Sequence, residues 1–319
     1  MRVRLGYVAI ALNLPKVTSS STVTFSRYQK INNEEDRLHK LKQVTYSNLK
    51  DLETILDYNV TNNIHFYRIT SNLIPLATHP EVMWDYRKYF KDDFKYIGKI
   101  IKENNMRVDA HPDQFNVINS DKESVVENTI KSLNMQVDIF EDFEYEDGKL
   151  VIHIGGGKGG KEEAIKRFMN NLEKFPKRIR ERLILENDDK TFTAREVLKI
   201  CQETNLPMVL DVHHYNCHNS GGEIKDILKD VFKTWENEKL PPKIHFSSPR
   251  EFENDRKHSD YIEVDAFIEF LDMAKETVDE DFDVMIEAKQ KDLTLIKLMN
   301  DLREKRKDFK FIDKSTIEI

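Results

Sequence analysis

The sequence predicts a single-domain α/β protein folded as a (β/α)8 TIM barrel, and three observations support this prediction. Short apolar runs alternate with longer amphipathic stretches along nearly all of the 319 residues, which is the pattern of repeated β-α units around a parallel sheet. Eight such runs can be counted, the number of strands in a barrel of this kind. No linker rich in Pro, Gly or Ser divides the chain, and such barrels span about 250 residues or more as one domain.

The apolar runs give eight predicted strands, and the amphipathic stretches give seven intervening helices. The strands are predicted at Val3–Ala11, Ile64–Ile69, Arg107–Ala110, Leu150–Ile154, Arg182–Leu185, Met208–Leu210, Lys243–Phe246 and Asp283–Ile286. The helices are predicted at Glu34–Tyr58, Tyr86–Asn104, Lys122–Phe143, Glu162–Phe175, Ala194–Thr204, Glu223–Glu238 and Val264–Thr277.

The last part of the chain has a different pattern from the rest. We assign residues 1–292 to the catalytic barrel and residues 293–319 to a charged, helical C-terminal tail. The segment Gln290–Ile319 has the pattern of a charged helix, which would be the eighth of the barrel, and we expect a loosely packed end after it.

Composition excludes several classes of protein. No run of 18 apolar residues is present, so no membrane span is predicted. The N-terminal segment MRVRLGYVAIALNLP could be taken for a signal peptide, but Tyr7 and Asn13 interrupt it and a buried first strand explains it equally well. The two cysteines are too few for a disulfide framework, which favours the reducing cytoplasm. No pattern indicates oligomerisation, so we expect a monomer.

The net charge of −7 argues mildly against a protein that holds DNA by a general basic surface. Bound divalent cations would reverse the local field where they lie. Basic residues also cluster locally, although such clusters are more often solvated surface than binding sites. The clusters are Lys158/Lys161/Lys166/Arg167 and Arg250/Arg256/Lys257.

Polar residues end nearly every predicted strand. In a (β/α)8 barrel the carboxyl ends of the strands form the active site, so side chains at these positions converge on one point. His79 follows the second strand and would lie over the same rim. The other members of this set are His111, His153, Glu186, Asp211, His214, His245 and Glu287.

So many imidazoles and carboxylates at one point favour bound metal ions, because carboxylates at close range cannot all stay ionised without a cation. Nitrogen and oxygen ligands without thiolate suit Mn, Zn, Fe or Mg. Each residue alone has an ordinary structural explanation: His153 as a core histidine, Glu186 or Glu287 as a partner of a buried base, Asp211 as a helix N-cap. Recurrence of these residue types at the same end of six strands favours metal ligation for the set.

The remaining histidines lack this placement and are interpreted as structural: His39, His65, His213 and His218. Lys243 is different from the metal-ligating set, because it lies two residues before His245 and metal ions would repel its ammonium group. It must point elsewhere, lose its charge or be modified. A structural role, in which the ammonium group of Lys243 bonds backbone carbonyls at the rim, explains its position equally well.

Several motifs resemble those of the ultraviolet damage endonucleases, the enzymes of an alternative excision repair pathway. The matching strings are LIPLATHP (73–80), AHPDQF (110–115), VIHIGGG (151–157), LILENDD (183–189), VLDVHH (209–214), PKIHFSS (242–248), HSDYI (258–262) and VMIEAKQKD (284–292). The resemblance covers about residues 1 to 292.

The resemblance implies a metal-dependent hydrolase that cleaves the DNA phosphodiester bond immediately 5′ to cyclobutane pyrimidine dimers and 6-4 photoproducts. Its cofactors would be two or three divalent ions, commonly Mn²⁺, and its partner double-stranded DNA containing such lesions. The resemblance implies the same metal ligands that the strand ends select. It also makes Lys243, Glu186 and His245 catalytic candidates and implies that Lys243 is carboxylated beside the metals.

Lesion recognition is also implied by the resemblance. Gln114 and Phe115 match a Gln and an aromatic residue that wedge into the duplex, and some relatives have Tyr where Phe115 stands. A crosslinked pyrimidine pair is cheaper to flip out than normal bases, and side chains can fill the space it leaves. Tyr7 and Asn13 match groups that line the lesion pocket. Candidates for contacting the lesion phosphates lie in the loop after the seventh strand: His258, Tyr261, Arg256 and Lys257.

Two other classes of function stay open at this point. An abasic-site endonuclease of the endonuclease-four type or a metal-dependent sugar isomerase would use the same barrel with similar ligands, because a fold does not fix a substrate. The Gln114–Phe115 pair and the basic loop at 250–258 favour DNA over a small sugar. A second class is a damage-binding module in which metals only stabilise the barrel.

Overall fold

The computed structural model describes all residues, Met1–Ile319, and its centre is a closed barrel of eight parallel strands. Neighbouring strands follow chain order from β2 to β8, and β1 lies between β8 and β2 and closes the barrel. The predicted (β/α)8 fold is confirmed. The strands are β1 (Arg2–Val8), β2 (Phe66–Ile69), β3 (Arg107–Ala110), β4 (Lys149–His153), β5 (Leu183–Glu186), β6 (Met208–Asp211), β7 (Lys243–Phe246) and β8 (Phe282–Ile286).

Helices follow the strands and surround the barrel, and none of them is both long enough and apolar enough to cross a membrane. The longest begins after Asn33, whose side chain accepts a hydrogen bond from the backbone N–H of Asp36. The helices are α1 (Phe25–Gln29), α2 (Glu34–Thr61), α3 (Lys91–Glu103), α4 (Glu123–Asp142), α5 (Lys161–Leu172), α6 (Lys177–Arg180), α7 (Ala194–Thr204), α8 (Val212–Cys217), α9 (Lys225–Lys233), α10 (Val264–Thr277) and α11 (Lys291–Lys305).

The alternation of side chains along the strands separates two hydrophobic cores. The large core packs the outer face of the sheet against the helices. A small, separate core is formed by Val151, Ile184, Val209 and Trp235, all of them buried. Because these valines and this isoleucine lie two residues before the last residues of β4, β5 and β6, their side chains share the face of those residues. This small core therefore fills the barrel interior, below the carboxyl end that we call the mouth.

Charged residues close the opposite, amino end of the barrel. Arg107 of β3 donates to Asp283 of β8 at 2.7 Å, and Arg4 of β1 bonds the same carboxylate through two nitrogens at 2.8 and 2.6 Å. The guanidinium of Arg107 also lies 5.2 Å from the ring centres of both Phe66 and Trp235. Such cation–π contacts compensate a buried guanidinium. The result is a packed plug rather than a pore.

The C-terminal segment differs from the prediction. The eighth helix is confirmed as α11, but the expected loosely packed end instead forms two strands, β9 (Lys310–Phe311) and β10 (Thr316–Glu318). Strand β10 pairs antiparallel with β1, from Arg2 to Arg4. The reason is that β1 pairs with β2 only from Gly6 onward, so the first half of β1 has a free edge. That free edge is not visible in the charged sequence of the tail.

The packing of β10 against β1 generates a stability prediction. Ile317 of β10 has no exposed surface, so Ile317→Ala leaves a cavity and should lower the free energy of unfolding by about 2–4 kcal/mol in a urea titration. Ile312 is 43% exposed in the same segment, and Ile312→Ala should cost less than about 0.5 kcal/mol. Equal, small effects of both substitutions would contradict a packed end.

Candidate metal centre

The carboxyl ends of the strands bring a compact group of imidazoles and carboxylates together at the mouth. The group is built around Glu186, the last residue of β5, whose side chain is almost completely buried. We call it the Glu186 cluster, and its members are His111, His153, Glu186, Asp211, His214, His245 and Glu287.

The two oxygens of Glu186 are shared by four histidines. One oxygen lies 3.0 Å from Nε2 of His111 and 3.6 Å from Nε2 of His153. The other oxygen lies 2.7 Å from Nδ1 of His245 and 3.7 Å from Nδ1 of His214. Glu186 is therefore the member that contacts ligands from both sides of the mouth.

Three subsets of the cluster place their ligand atoms within 4.8 Å of one another, and each subset contains Glu186. A carboxylate common to three subsets can bridge neighbouring ions, because each of its oxygens can bind a separate cation. The subsets are His111/His153/Glu186, Glu186/His245/Glu287 and Glu186/Asp211/His214.

The electrostatics of the cluster fit divalent cations. Burial holds the pKa of the Asp211 carboxyl well above its usual range, against the opposing charge of His214. One oxygen of this carboxylate has no hydrogen-bond partner although it is buried, and such atoms are rare in folded proteins. Burial lowers the pKa of His245 to about 4, so its imidazole is neutral, the form that binds a metal. The nitrogen and oxygen donors suit Mn, Zn, Fe or Mg.

Two charged residues of the centre are missing from the sequence prediction, Arg68 of β2 and Asp109 of β3. Arg68 donates to Glu287 at 2.6 Å and to Nε2 of His245 at 2.6 Å. Its third contact is Asp109, at 3.4 Å. Both residues lie inside four-residue strands that are otherwise apolar or buried, FYRI and RVDA, and a charge at such a position is the signal that could have revealed them.

Lys243 of β7 has a counter-ion in this arrangement. Its ammonium group is fully buried and forms an ion pair with Asp109. Burial lowers the pKa of Lys243 to about 8, although the charge of Asp109 opposes that change. Because this pair compensates the charge, Lys243 needs neither to point away from the centre nor to be modified in order to fit there. Its carboxylation stays a prediction.

His79 lies apart from the Glu186 cluster. Its ring stacks on Phe25, with ring centres 3.9 Å apart, and its Nδ1 accepts the backbone N–H of Glu81 at 3.3 Å. It belongs to none of the three subsets. The long loop after β2 carries it to this position, so the structure does not bring it together with the other predicted ligands, and its ligation stays a prediction.

The predicted wedge residues project from the loop after β3. Phe115 is 77% exposed, and Gln114 beside it is also exposed. The carboxylate of Asp113 accepts the backbone N–H of Phe115 at 2.9 Å, and Asn116 bonds the carbonyl of Asp113, so the turn is fixed. A single exposed aromatic side chain is common on protein surfaces, so the wedge role of Gln114 and Phe115 stays a prediction.

The two residues expected to line a lesion pocket behave differently. Tyr7 has no exposed surface, and its hydroxyl donates to Asn59 of α2 at 2.7 Å, so it lies between the barrel and the helices. Side chains alternate along β1, and Tyr7 falls on its outer face. Its place in the lesion pocket stays a prediction. Asn13 is exposed at the rim, where its amide donates to Tyr58 and to Asp292.

The loop after β7 connects the rim to the metal centre. Its base is held by a bridge between Pro249 and His258, and Nδ1 of His258 lies 4.0 Å from Glu287. His258 therefore lies deeper than a residue that contacts only outer phosphates. Arg256 is half exposed and pairs with Asp189 at 3.4 Å. The other two predicted residues of this loop, Lys257 and Tyr261, are exposed.

The fold and the centre place the protein in the class of (β/α)8 barrels with a histidine- and carboxylate-rich mouth. Endonuclease IV from Thermus thermophilus shares the fold, with a TM-score of 0.57, 13% identity, and coverage of 94% of this chain and 99% of that chain. D-Psicose 3-epimerase from Clostridium cellulolyticum H10 does so with a TM-score of 0.50, 12% identity, and coverage of 75% and 80%. At these identities the likeness concerns the fold alone.

Sequence comparison identifies the family. The UV-endonuclease UvdE family matches residues 3–318, and the chain belongs to this family, as its motifs predict. It is 39% identical over 319 residues, all of both chains, to the UV DNA damage endonuclease of Bacillus cereus (strain Q1) and to that of Bacillus mycoides (strain KBAB4). It also resembles the crystal structure of SacUVDE, with a TM-score of 0.85, 34% identity, and coverage of 96% of this chain and 99% of that chain.

The buried pair of Lys243 and Asp109 generates a second prediction. Asp109→Asn leaves a buried ammonium without a counter-ion and should lower the free energy of unfolding by about 3–5 kcal/mol in urea with chelator present. Adding Lys243→Met to this variant should recover part of the loss, because the two residues are coupled. Glu181→Gln, which removes the exposed pair with Lys177, is the control and should cost less than about 1 kcal/mol. Additive losses in the double variant would contradict the pairing.

Proposed function

We propose that the protein is a metal-dependent endonuclease that hydrolyses the DNA phosphodiester bond immediately 5′ to UV photolesions, including cyclobutane pyrimidine dimers and 6-4 photoproducts. The observation that carries the proposal is the Glu186 cluster, in which three potential metal-binding subsets share one carboxylate at the mouth. Membership of the UV-endonuclease UvdE family supports double-stranded DNA as the substrate.

The residues of the Glu186 cluster would hold two or three divalent ions, and Mn²⁺ is the expected metal. Such ions would lower the pKa of a bound water and neutralise charge on the phosphate. Glu186 and His245 would fix the ligand geometry, and Arg68 would orient His245 and Glu287 through its two short hydrogen bonds. Lys243 would act from below the cluster, either as an ammonium paired with Asp109 or in carboxylated form.

Lesion recognition would use the rim of the mouth. Gln114 and Phe115 are exposed on a fixed turn beside the Glu186 cluster, where an aromatic ring can replace a base that leaves the stack. Asn13 and Tyr261 are exposed at the same rim. The residues available to phosphates are Arg256, Lys257 and His258.

The test of this function is a nicking assay on a labelled duplex that contains one cyclobutane dimer at a known position. We expect a single cut directly 5′ of the dimer that requires added Mn²⁺ and disappears with chelator. A parallel duplex with an abasic site separates the alternatives. Cleavage of that duplex alone would assign the protein to abasic-site endonucleases, and lesion binding without any cut would indicate a damage-binding module.

The shared carboxylate predicts an unequal loss of metal. Because Glu186 belongs to all three subsets, Glu186→Gln should remove more than one bound ion, whereas His111→Ala affects a single subset. Metal content is measured by elemental analysis after desalting. His39→Ala, an exposed position on α2, is the control and should retain the full content. Loss of at most one ion in Glu186→Gln would show that its carboxylate does not bridge.

The proposed wedge role of Gln114 and Phe115 predicts that their removal weakens lesion binding without loss of bound metal. Replacing both Gln114 and Phe115 by Ala should weaken binding to the dimer-containing duplex by about 1–3 kcal/mol, the contribution of one base–aromatic stack. Affinity is measured by fluorescence anisotropy with a non-cleaving metal such as Ca²⁺. Tyr96→Ala removes an exposed aromatic side chain from α3 and serves as the control. Unchanged lesion affinity in the double variant would count against recognition of DNA by this turn.

A further inference from the structure

The loop that follows β4 contains a glycine for which the fold supplies no reason. Residues 155–160 have the sequence GGGKGG and join His153 of the Glu186 cluster to α5. They border a cleft of about 360 Å³ between the loops after β3, β4 and β5. His111, Gln114, His153, Gly156 and Thr191 are among the residues that line it.

Most glycines of this loop are explained by the backbone or by packing. Gly155, Gly159 and Gly160 have φ angles of 110°, 80° and 98°, a region that favours glycine. At Gly157 an added Cβ would lie 3.2 Å from the side chain of Thr191. Gly156 has neither constraint, because its φ is not in that region and an added Cβ would meet nothing within 4 Å.

The backbone around Gly156 also presents free hydrogen-bond donors. Asn119, itself buried, donates to the carbonyl of Gly156 at 2.7 Å and fixes the orientation of this peptide. The backbone N–H groups of residues 155–158 have no acceptor within the protein. Consecutive backbone N–H groups that converge in a turn can bind an anion.

Charged residues of both signs lie around the loop, and the charged side chains that line the cleft itself are Asp113, Asp188, Asp189 and Lys190. Lys158 and Lys161 have side chains that are 71% and 43% exposed, and Lys190 is exposed on the neighbouring loop. Lys158 and Lys161 form ion pairs with Asp121 and Glu196, so the charges within each pair compensate one another. Asp188 accepts three backbone N–H groups of its own turn, and Asp189 pairs with Arg256.

We propose that loop 155–158 binds a backbone phosphate of the DNA strand next to the phosphodiester that is cleaved, and that Gly156 lets the strand approach because it has no side chain. This proposal rests on the proposed function and adds a positioning residue to it. The phosphate oxygens accept the free N–H groups, while Lys190, which lines the same cleft, supplies positive charge. Contacts of this type fix the register of a duplex without reading its sequence.

The first experiment adds side chains of increasing size at Gly156. Since the space around it is empty, Gly156→Ala and Gly156→Val should keep the wild-type melting temperature and metal content. The dissociation constant for the lesion duplex should rise, and for Gly156→Val by about tenfold or more, the effect of losing a hydrogen bond to a charged group. Gln202→Val, at an exposed position of α7, controls for adding an apolar branched side chain.

The second experiment probes the phosphate itself. Duplexes with single neutral methylphosphonates are bound by the wild type and by Gly156→Val. One position near the lesion should weaken binding by the wild type, and the same replacement should have little further effect on Gly156→Val, because the contact is already lost.

The outcomes separate this proposal from the proposed function. Wild-type affinity in Gly156→Val, or a wild type insensitive to every methylphosphonate, would overturn the phosphate site while leaving nicking intact. If the wild type binds the duplex but never nicks it, the proposed function fails and the binding comparison still decides the phosphate site. A lower melting temperature in Gly156→Ala would assign the glycine a structural role instead.

Discussion

The buried carboxylate of Glu186 is the interaction on which the rest of the centre depends. Its two oxygens have almost no contact with solvent and are approached by four imidazoles, which come from two strands, one loop and helix α8. An ionised carboxylate at such depth is stable only when opposite charge or hydrogen-bond donors surround it. The closed barrel supplies that environment, because it brings the carboxyl ends of all the strands to one point.

Below Glu186, buried side chains of opposite charge compensate one another in pairs. Arg68 balances Glu287 and approaches Asp109, and Asp109 in turn pairs with Lys243. Arg68, Asp109 and Lys243 lie on three different strands, and Glu287 directly follows a fourth. A change of register in any of these strands would leave a buried charge without its partner. Such mismatches cost several kcal/mol. The network therefore favours a single register for the barrel, in addition to positioning possible metal ligands.

Much of the fold and the centre follows from the sequence, and the exceptions share a physical cause. Apolar runs locate the eight strands, and polar residues at their ends locate the Glu186 cluster. Polar residues at strand ends do not reveal Arg68 and Asp109, because these two residues lie within strands. Only the closed barrel shows that their side chains meet. The position of Tyr7 on the outer face of β1 has a related cause: a strand has two faces, and a motif does not say which face a residue occupies. The C-terminal strand depends on the free edge of β1, a tertiary feature.

The packed side chains at the amino end close the barrel there, so its interior opens only at the mouth. Trp235 and the guanidinium of Arg107 fill the interior below Val151, Ile184 and Val209, and all of them are buried. Water that enters the mouth has no second exit through the barrel axis. Under the proposed function, a duplex lying across the mouth would cover the only opening between the barrel interior and bulk solvent. Water and ions below the duplex would then exchange with bulk solvent only after the DNA leaves. The residence time of the DNA would then set the rate at which water and ions at the metal centre exchange with bulk solvent.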